Sequence, residues 1–251
     1  MTGQSIKNTI LKIKMKLGLA ISKEEYADHN NYMIQQMRSK GMSIGKGTMF
    51  YDFEPKVDMQ RPWMIEIGEY CKITTGVTIL QHDYSRSVLR RVYGSILGEA
   101  KKTIIGDNVF LGMNSIVLMG AHIGSNVIVG AGSVVAGNIP DNVVVAGNPA
   151  KVIRSLEEHY QIRKRKSEEE ARKCAREYYR TFHKYPTITE MGSFFPLYLP
   201  RERDLLSHYH IDTALSGDDE QDIILRWLET DPIYENYDLF LESCDFPEDA
   251  W

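Results

Sequence analysis

Cysteine is scarce in this 251-residue chain: there are three, Cys71, Cys174 and Cys244, and no CxxC pair. A disulfide framework and a thiolate zinc site both call for more sulfur at regular spacing, so a reducing cytoplasm is the expected setting. Long apolar runs are also missing; none approaches the ~18 residues a membrane span needs. The opening, MTGQSIKNTILKIKMKLGLAIS, scatters lysines among its apolar residues and lacks the apolar centre of a secretory leader. Nor is there an excess of positive charge. Thirty Lys and Arg against 34 Asp and Glu give a net −4, which argues against a nucleic-acid binder. With 43% apolar and 25% charged residues, the composition is that of a globular protein of one large or two modest domains.

What is present is unevenly spread. The first forty residues are basic, and the stretch from Ser216 to Trp251 is strongly acidic, with Arg226 its only Lys or Arg. Between them, roughly Met42 to Arg154, Gly, Val and Ile are abundant. Read in sixes from Ile105, that region goes IGDNVF, LGMNSI, VLMGAH, IGSNVI, VGAGSV, VAGNIP. Every first position is aliphatic: Ile105, Leu111, Val117, Ile123, Val129, Val135. Six such hits in phase have chance odds on the order of one in ten thousand. Gly fills the second position at 106, 112, 124 and 130. An earlier block, IGEYCK, ITTGVT, ILQHDY, repeats the pattern in another phase from Ile67 to Tyr84, and IGKGTM adds a fragment at Ile44. Residues 85–103 break the period and are expected to leave the regular body as a loop.

A period of six suits neither an amphipathic helix nor a strictly alternating hairpin. It fits short strands joined by tight corners, with the aliphatic pointing inward and Gly allowing a backbone conformation that other residues resist. Stacked coils of this kind bury one continuous core. The alternative, a β-sandwich with Gly-rich turns, would space its turns irregularly.

The hexads, the His–Asp of ILQHDYS before a long loop, and the closing GNPAKVI make this region resemble the hexapeptide-repeat acyltransferases, especially the maltose/galactoside and xenobiotic acetyltransferase branches. The resemblance covers slightly under half the chain. It implies a left-handed parallel β-helix of three hexads per coil, a homotrimer with active sites between subunits, and acetyl-CoA as cosubstrate without a metal. Three divisions follow: a helical segment at 1–41, the β-helix at 42–154 with its loop at 85–103, and a C-terminal helical extension at 155–251.

Acetyl transfer to a hydroxyl needs a base, because an alcohol is a poor nucleophile until its proton is leaving. Histidine suits that task near neutral pH. Among seven histidines, His82 stands where the family places its catalytic base. His122 reads as a surface corner, and the other five lie outside the repeat. Asp83 and Tyr84 open the loop as acceptor-binding candidates; Asp83 either orients the imidazole, binds the acceptor or shapes a turn. In FYDFEP, Asp52 falls where sugar-acetylating relatives carry an acceptor-binding Asn, and its carboxylate leaves room for an amino-sugar acceptor. For the donor, the resemblance assigns the pantetheine wall to Met113 and Ala131, one coil apart, and the coenzyme phosphates to Lys151 and Arg154. Two departures stand out: Ala136–Gly137 replace a frequent Thr–Lys, and Phe110 replaces a usual Trp. The γ-class carbonic anhydrases share the β-helix but bind zinc through three histidines; here Val117 stands five before His122, so that reading fails.

The flanks read as helices. Ile6, Ile10, Ile13 and Leu17 recur at helical spacing among Lys7, Lys12, Lys14 and Lys16, a face that either packs on the protein or lies on an anionic membrane. Ser22 with Glu25, and Ser155 with Glu158, each form a capping-box signature before a helix. The second helix is expected to reach about Phe182 with Ala171, Cys174, Ala175, Tyr178, Tyr179 and Phe182 on one stripe; a further helical piece is expected at Asp222 to Glu229. The basic run at 163–166 is a solvated face or an aid to the coenzyme phosphates. The leading reading is O-acetylation of a sugar or glycan; antibiotic or xenobiotic acetylation, amino-sugar N-acetylation and a non-catalytic scaffold are the alternatives.

Overall fold

Hexads build a wall only if every sixth side chain turns inward and the chain bends sharply between strands. A computed structural model, which describes all residues except 1–6, 8, 12, 15–16, 212–218 and 247–251, shows how this chain does both. The first four coils each contribute one strand to each of three sheets, and the last adds strands to only two of them. The first sheet holds β1 (Ser43–Ile44), β4 (Ile65–Ile67), β7 (Thr103–Ile105), β10 (His122–Ile123) and β13 (Asn138–Ile139). The second holds β2 (Met49–Phe50), β5 (Lys72–Ile73), β8 (Phe110–Leu111), β11 (Ile128–Val129), β14 (Val143–Ala146) and β15 (Lys151–Ser155). The third holds β3 (Lys56–Val57), β6 (Thr78–Ile79), β9 (Ile116–Val117) and β12 (Val134–Val135). All neighbours run parallel except β14 and β15.

Register turns the period into geometry. Ile104 pairs with His122, Phe110 with Ile128 and Ile116 with Val134, a constant step of 18 residues or three hexads. Where the period breaks, the step widens: Thr78 pairs with Ile116, 38 residues on. The coil closes regardless, and twenty extra residues are extruded from it. That segment is not loop throughout. It carries a helix, α2 (Arg86–Tyr93), closed by Gly94 at φ 72° in a left-handed cap. The signal was the run VLRRVY followed by Gly, a helix stop.

The first-position aliphatics, from Ile105 through Val135, are all buried, as are the fifth-position Val109, Ser115, Ala121, Val127 and Ser133. Two inward positions per hexad fill the centre. The second-position glycines have a different role from the one anticipated: none of Gly106, Gly112, Gly124 and Gly130 has positive φ. They are small because coils approach closely; a Cβ on Gly112 would sit 2.6 Å from the Ala131 nitrogen. The left-handed corner falls instead on the fourth position, filled by Asn108, Asn114, Gly120, Asn126 and Gly132. Asn and Gly tolerate that conformation best. One corner is further tied by an amide ladder, Asn108 donating to Asn126 at 2.9 Å and Asn126 to Asn142 at 3.0 Å.

Before the coils, α1 (Lys23–Ser39) starts at Ser22, whose hydroxyl accepts from the Glu25 N–H while Glu25 reaches back to the Ser22 N–H. The expected N-terminal apolar stripe is not buried. Ile10, Ile13 and Leu17 are half or more exposed, Leu11 is the buried residue, and Ile6, Lys12 and Lys16 lie outside the described residues.

The chain divides into two compact units, Met1–Leu156 and Glu157–Trp251. The second is helical, with α3 (Leu156–Phe182), α4 (Ile188–Met191), α5 (Arg203–His208), α6 (Glu220–Leu228) and α7 (Tyr237–Glu242). Ala171 and Ala175 of α3 pack with Met191, Leu197, Tyr198, Phe240 and Cys244, whereas Cys174 and Phe182 of the expected stripe face solvent. A second cluster gathers Leu199, Leu206, Ile224 and Trp227. The basic run at 163–166 is exposed, and Arg163 grips Glu170 through two hydrogen bonds of 2.9 and 2.6 Å.

Candidate functional site

His82 follows β6 at the corner where the chain leaves the coil. Its partner comes from the coil beneath. Lys56 and Val57 pair with Thr78 and Ile79, so Asp58, the next residue, lies under the start of that corner. The Asp58 N–H donates to Ile79 O at 2.9 Å, fixing its backbone. Its carboxylate Oδ2 accepts a short hydrogen bond from His82 Nδ1. The Asp58 side chain is only 6% exposed and that of His82 23%.

Ionisation of Asp58 follows from its surroundings. Burial pushes the carboxyl upward, but the Gln60 N–H, the His82 ring and the Gln81 N–H outweigh it, leaving its pKa below the ordinary value. The Gln60 and Gln81 N–H groups donate at 3.0 and 3.3 Å. An ionised carboxylate can only accept, so His82 Nδ1 carries the hydrogen, and a ring with one N–H has its lone pair on Nε2. That arrangement fixes the tautomer.

Asp58 was not singled out from the sequence, although its signal was there. Once the coil register is known, it is the acid one coil below His82. Gln81 also went unnoticed; its side chain is fully buried, with Nε2 3.4 Å from His82 Nδ1. Asp83 does not face the imidazole in this way. Its Oδ1 accepts from the Ser85 N–H at 2.6 Å, a turn at the start of the extruded segment. Tyr84 is exposed, with the Arg86 guanidinium 5.3 Å from its ring centre.

Asp52, Met113 and Ala131 fall on a different column of corners, the one leading from the second sheet into the third. Asp52 Oδ1 accepts from the Glu54 N–H at 3.1 Å and Oδ2 from the Gly76 N–H at 3.0 Å, tying two coils together. Helix α1 supports this turn: Tyr26 donates to Phe50 O at 2.7 Å, Asn30 Oδ1 accepts from the Phe50 N–H at 3.0 Å, and the Tyr26 and His29 rings pack on Phe53. Burial, with Tyr51 and Asp52 nearby, pushes the Tyr26 phenol up to about 12. Met113 and Ala131 are both exposed, and Met113 O accepts from the Gly132 N–H at 2.8 Å. In coil register His82 is level with Gly120, seven residues beyond Met113, so the face of the third sheet separates the two columns.

Lys151 and Arg154 sit on β15, which folds back antiparallel along β14. Residues three apart on a strand normally face opposite ways. Here Lys151 pairs with Ala146, Val152 with Val145 and Arg154 with Val144, so Ile153 is an extra residue. Ala146 and Val144 share a face, and the bulge therefore puts both cations on one side of the strand. His122 is exposed on β10, Phe110 is exposed on β8, and no cluster of three metal-binding side chains occurs among the described residues. No helix among those residues is long and apolar enough to cross a membrane.

The coils have counterparts of known sequence. The hexapeptide-repeat model of succinyl-transferase matches residues 102–136. CapG of Staphylococcus aureus is 40% identical over 127 residues, 51% of this chain and 73% of that protein. YvoF of Bacillus subtilis, named as an acetyltransferase, is 36% identical over 127 residues, 51% of this chain and 68% of its own length. The galactoside O-acetyltransferase of Lactococcus lactis is 52% identical over 56 residues, but these make up only 22% of this chain and 27% of that enzyme. Stacked hexads, a repeat match on the same coils and two relatives alike over more than two thirds of their length lead to one assignment: the chain is an acetyltransferase and belongs to the hexapeptide-repeat family.

Proposed function

We propose that the chain moves an acetyl group from acetyl-CoA to a hydroxyl of a sugar or glycan. The observation that carries this reading is the buried Asp58 holding His82 in the tautomer whose Nε2 can take a proton. As the acceptor oxygen attacks the thioester carbonyl, its proton passes to Nε2, and the ring then protonates the departing coenzyme thiolate. Asp58 stabilises the imidazolium between those two transfers. No acyl-enzyme is required, since a thioester is already activated.

The donor residues suit their task. Lys151 and Arg154 offer two cations on one strand face for the coenzyme phosphates, and Met113 with Ala131 offers two exposed positions one coil apart along which the pantetheine arm can lie. Because the donor column and His82 flank opposite edges of the third sheet, a homotrimer with sites between subunits brings one subunit's column toward another's base. Asp52, Asp83 and Tyr84 form the acceptor side. Each carboxylate has about four lone-pair positions, so Asp52 keeps two for sugar hydroxyls after its backbone bonds. That same carboxylate favours an ammonium group, which makes amino-sugar N-acetylation the second reading.

Release of free coenzyme thiol from acetyl-CoA, measured across sugars, amino sugars and chloramphenicol-type xenobiotics, tests both readings. A hydroxyl-only sugar should be the best acceptor and should fail with His82→Ala. Equal thiol release by His82→Ala and wild type on a true acceptor would remove His82 as the base.

A further inference from the structure

Gln81 breaks a rule that buried polar groups normally obey. Its side chain is fully buried, yet Oε1 has no hydrogen-bond partner among the described residues. An orphan of this kind is costly, and an apolar side chain of similar shape would avoid the cost. The backbone holds Gln81 in place from two sides. Its N–H donates to Asp58 Oδ2 at 3.3 Å, the same oxygen that accepts from His82 Nδ1. Its carbonyl accepts from the Lys101 N–H at 3.1 Å, where the extruded segment rejoins the coil. The amide is thereby set against the imidazole, with Nε2 3.4 Å from His82 Nδ1.

Two donors meet in that contact. His82 Nδ1 carries the hydrogen that Asp58 accepts, so it cannot also accept from Gln81 Nε2. Nε2 therefore gains nothing from the ring while Oε1 stays unpaired. The last torsion of a glutamine is broad and roughly two-fold, so a half-turn exchanges the two ends without moving the rest of the side chain. That exchange sets Oε1 beside the Nδ1 hydrogen and pairs the orphan. During transfer the ring takes the acceptor's proton on Nε2 and becomes a cation, and bonds from a charged donor are the stronger ones. Asp58 is the charged group bonded to the ring, whereas Asp83 is engaged by the Ser85 N–H.

We propose that Gln81 is a positioning residue for His82, its amide oxygen sharing the Nδ1 hydrogen with Asp58 and steadying the ring through proton transfer. This inference rests on His82 as the base. Gln81 is fully buried, so it acts through the ring and touches neither substrate.

Gln81→Met is the test, because methionine fills a similar space with no strong donor or acceptor. In thiol release, kcat should fall by about five- to tenfold with KM for both substrates within about twofold, as expected for one hydrogen bond to the ring. The melting temperature should stay the same or rise, since the orphan is gone. In the His82→Ala protein, adding Gln81→Met should leave the residual rate unchanged, because the partner is already missing. Gln81→Leu is the second variant if methionine disturbs the corner. A wild-type kcat for Gln81→Met, with His82→Ala slow, would overturn the role of Gln81 alone. Thiol release by His82→Ala as fast as wild type would overturn the base itself. A lowered melting temperature with raised KM, or a further loss in the His82→Ala background, would show that Gln81 only packs the corner.

Discussion

The coiled unit and the helical unit bury their side chains by different rules, and the difference explains why one was readable and the other was not. In the coils, burial is periodic: Leu111, Val117, Ile123 and Val129 are each fully buried six residues apart, and β7, β8 and β9 each pair with the strand three hexads on. In residues 157–251, Tyr198 packs on Tyr237 and Phe240 from a distant part of the chain, with ring centres 4.7 and 4.9 Å away. No short period brings such residues together. The units also differ in charge, +6 for residues 1–156 against −10 for 157–251, where 22 acidic residues face 12 basic ones. The proposed chemistry lies in the periodic, basic unit.

The sharpest way to break that contrast is at the site. His82→Ala should slow thiol release by roughly 10²–10⁴, the usual worth of a placed base, in a chain that still unfolds cooperatively. Asp58→Asn should cost about tenfold or more, since an amide can hold the ring in the wrong tautomer. If it left the rate untouched, the dyad would be structural only.

The two cores can be set against each other next. Leu111→Ala should cost about 2–5 kcal/mol and Phe240→Ala about 3–5 kcal/mol, each read by urea unfolding. The contrast predicts that Leu111→Ala impairs thiol release near its own unfolding midpoint, while Phe240→Ala leaves the rate intact at low temperature. Loss of activity in a folded Phe240→Ala protein would show that the helical unit takes part in the reaction.

Smaller effects probe the corners. Asn126 has φ 58° and makes two ladder hydrogen bonds, so Asn126→Ala should cost about 1–2 kcal/mol in thermal stability. Asn126→Gly should recover the part due to backbone strain. The least effect concerns acid. Because the folded pKa of Asp58 is depressed, its stabilisation is complete above the unfolded value of about 3.9 and disappears as pH falls through the folded value. Wild type and Asp58→Asn should therefore differ in melting temperature at neutral pH and converge in acid; a constant gap would contradict the shift.

Much of the proposed site was named before the fold. His82, Met113, Ala131, Lys151 and Arg154 came from the resemblance that the hexads, ILQHDYS and GNPAKVI carry. Asp58 was not named, since an acid 24 residues before a histidine means nothing until the coil length is known. The glycine reading failed in an instructive way. Gly at the second position and Asn or Gly at the fourth were both in plain view, but crowding between coils is a property of stacking, whereas positive φ is local. Helix α2 was passed over because it interrupts a strong period, and only its cap betrays it.

Local spacing thus settled which residues line the coil interior, where the coil is interrupted and which histidine stands at the break, for these depend on interactions that repeat every six or eighteen positions. Stacking had to supply the rest: the carboxylate beneath His82 and the bulge that aligns Lys151 with Arg154. Each of these arises from what lies alongside in the stack, and energies of that kind are defined only once the chain has closed on itself.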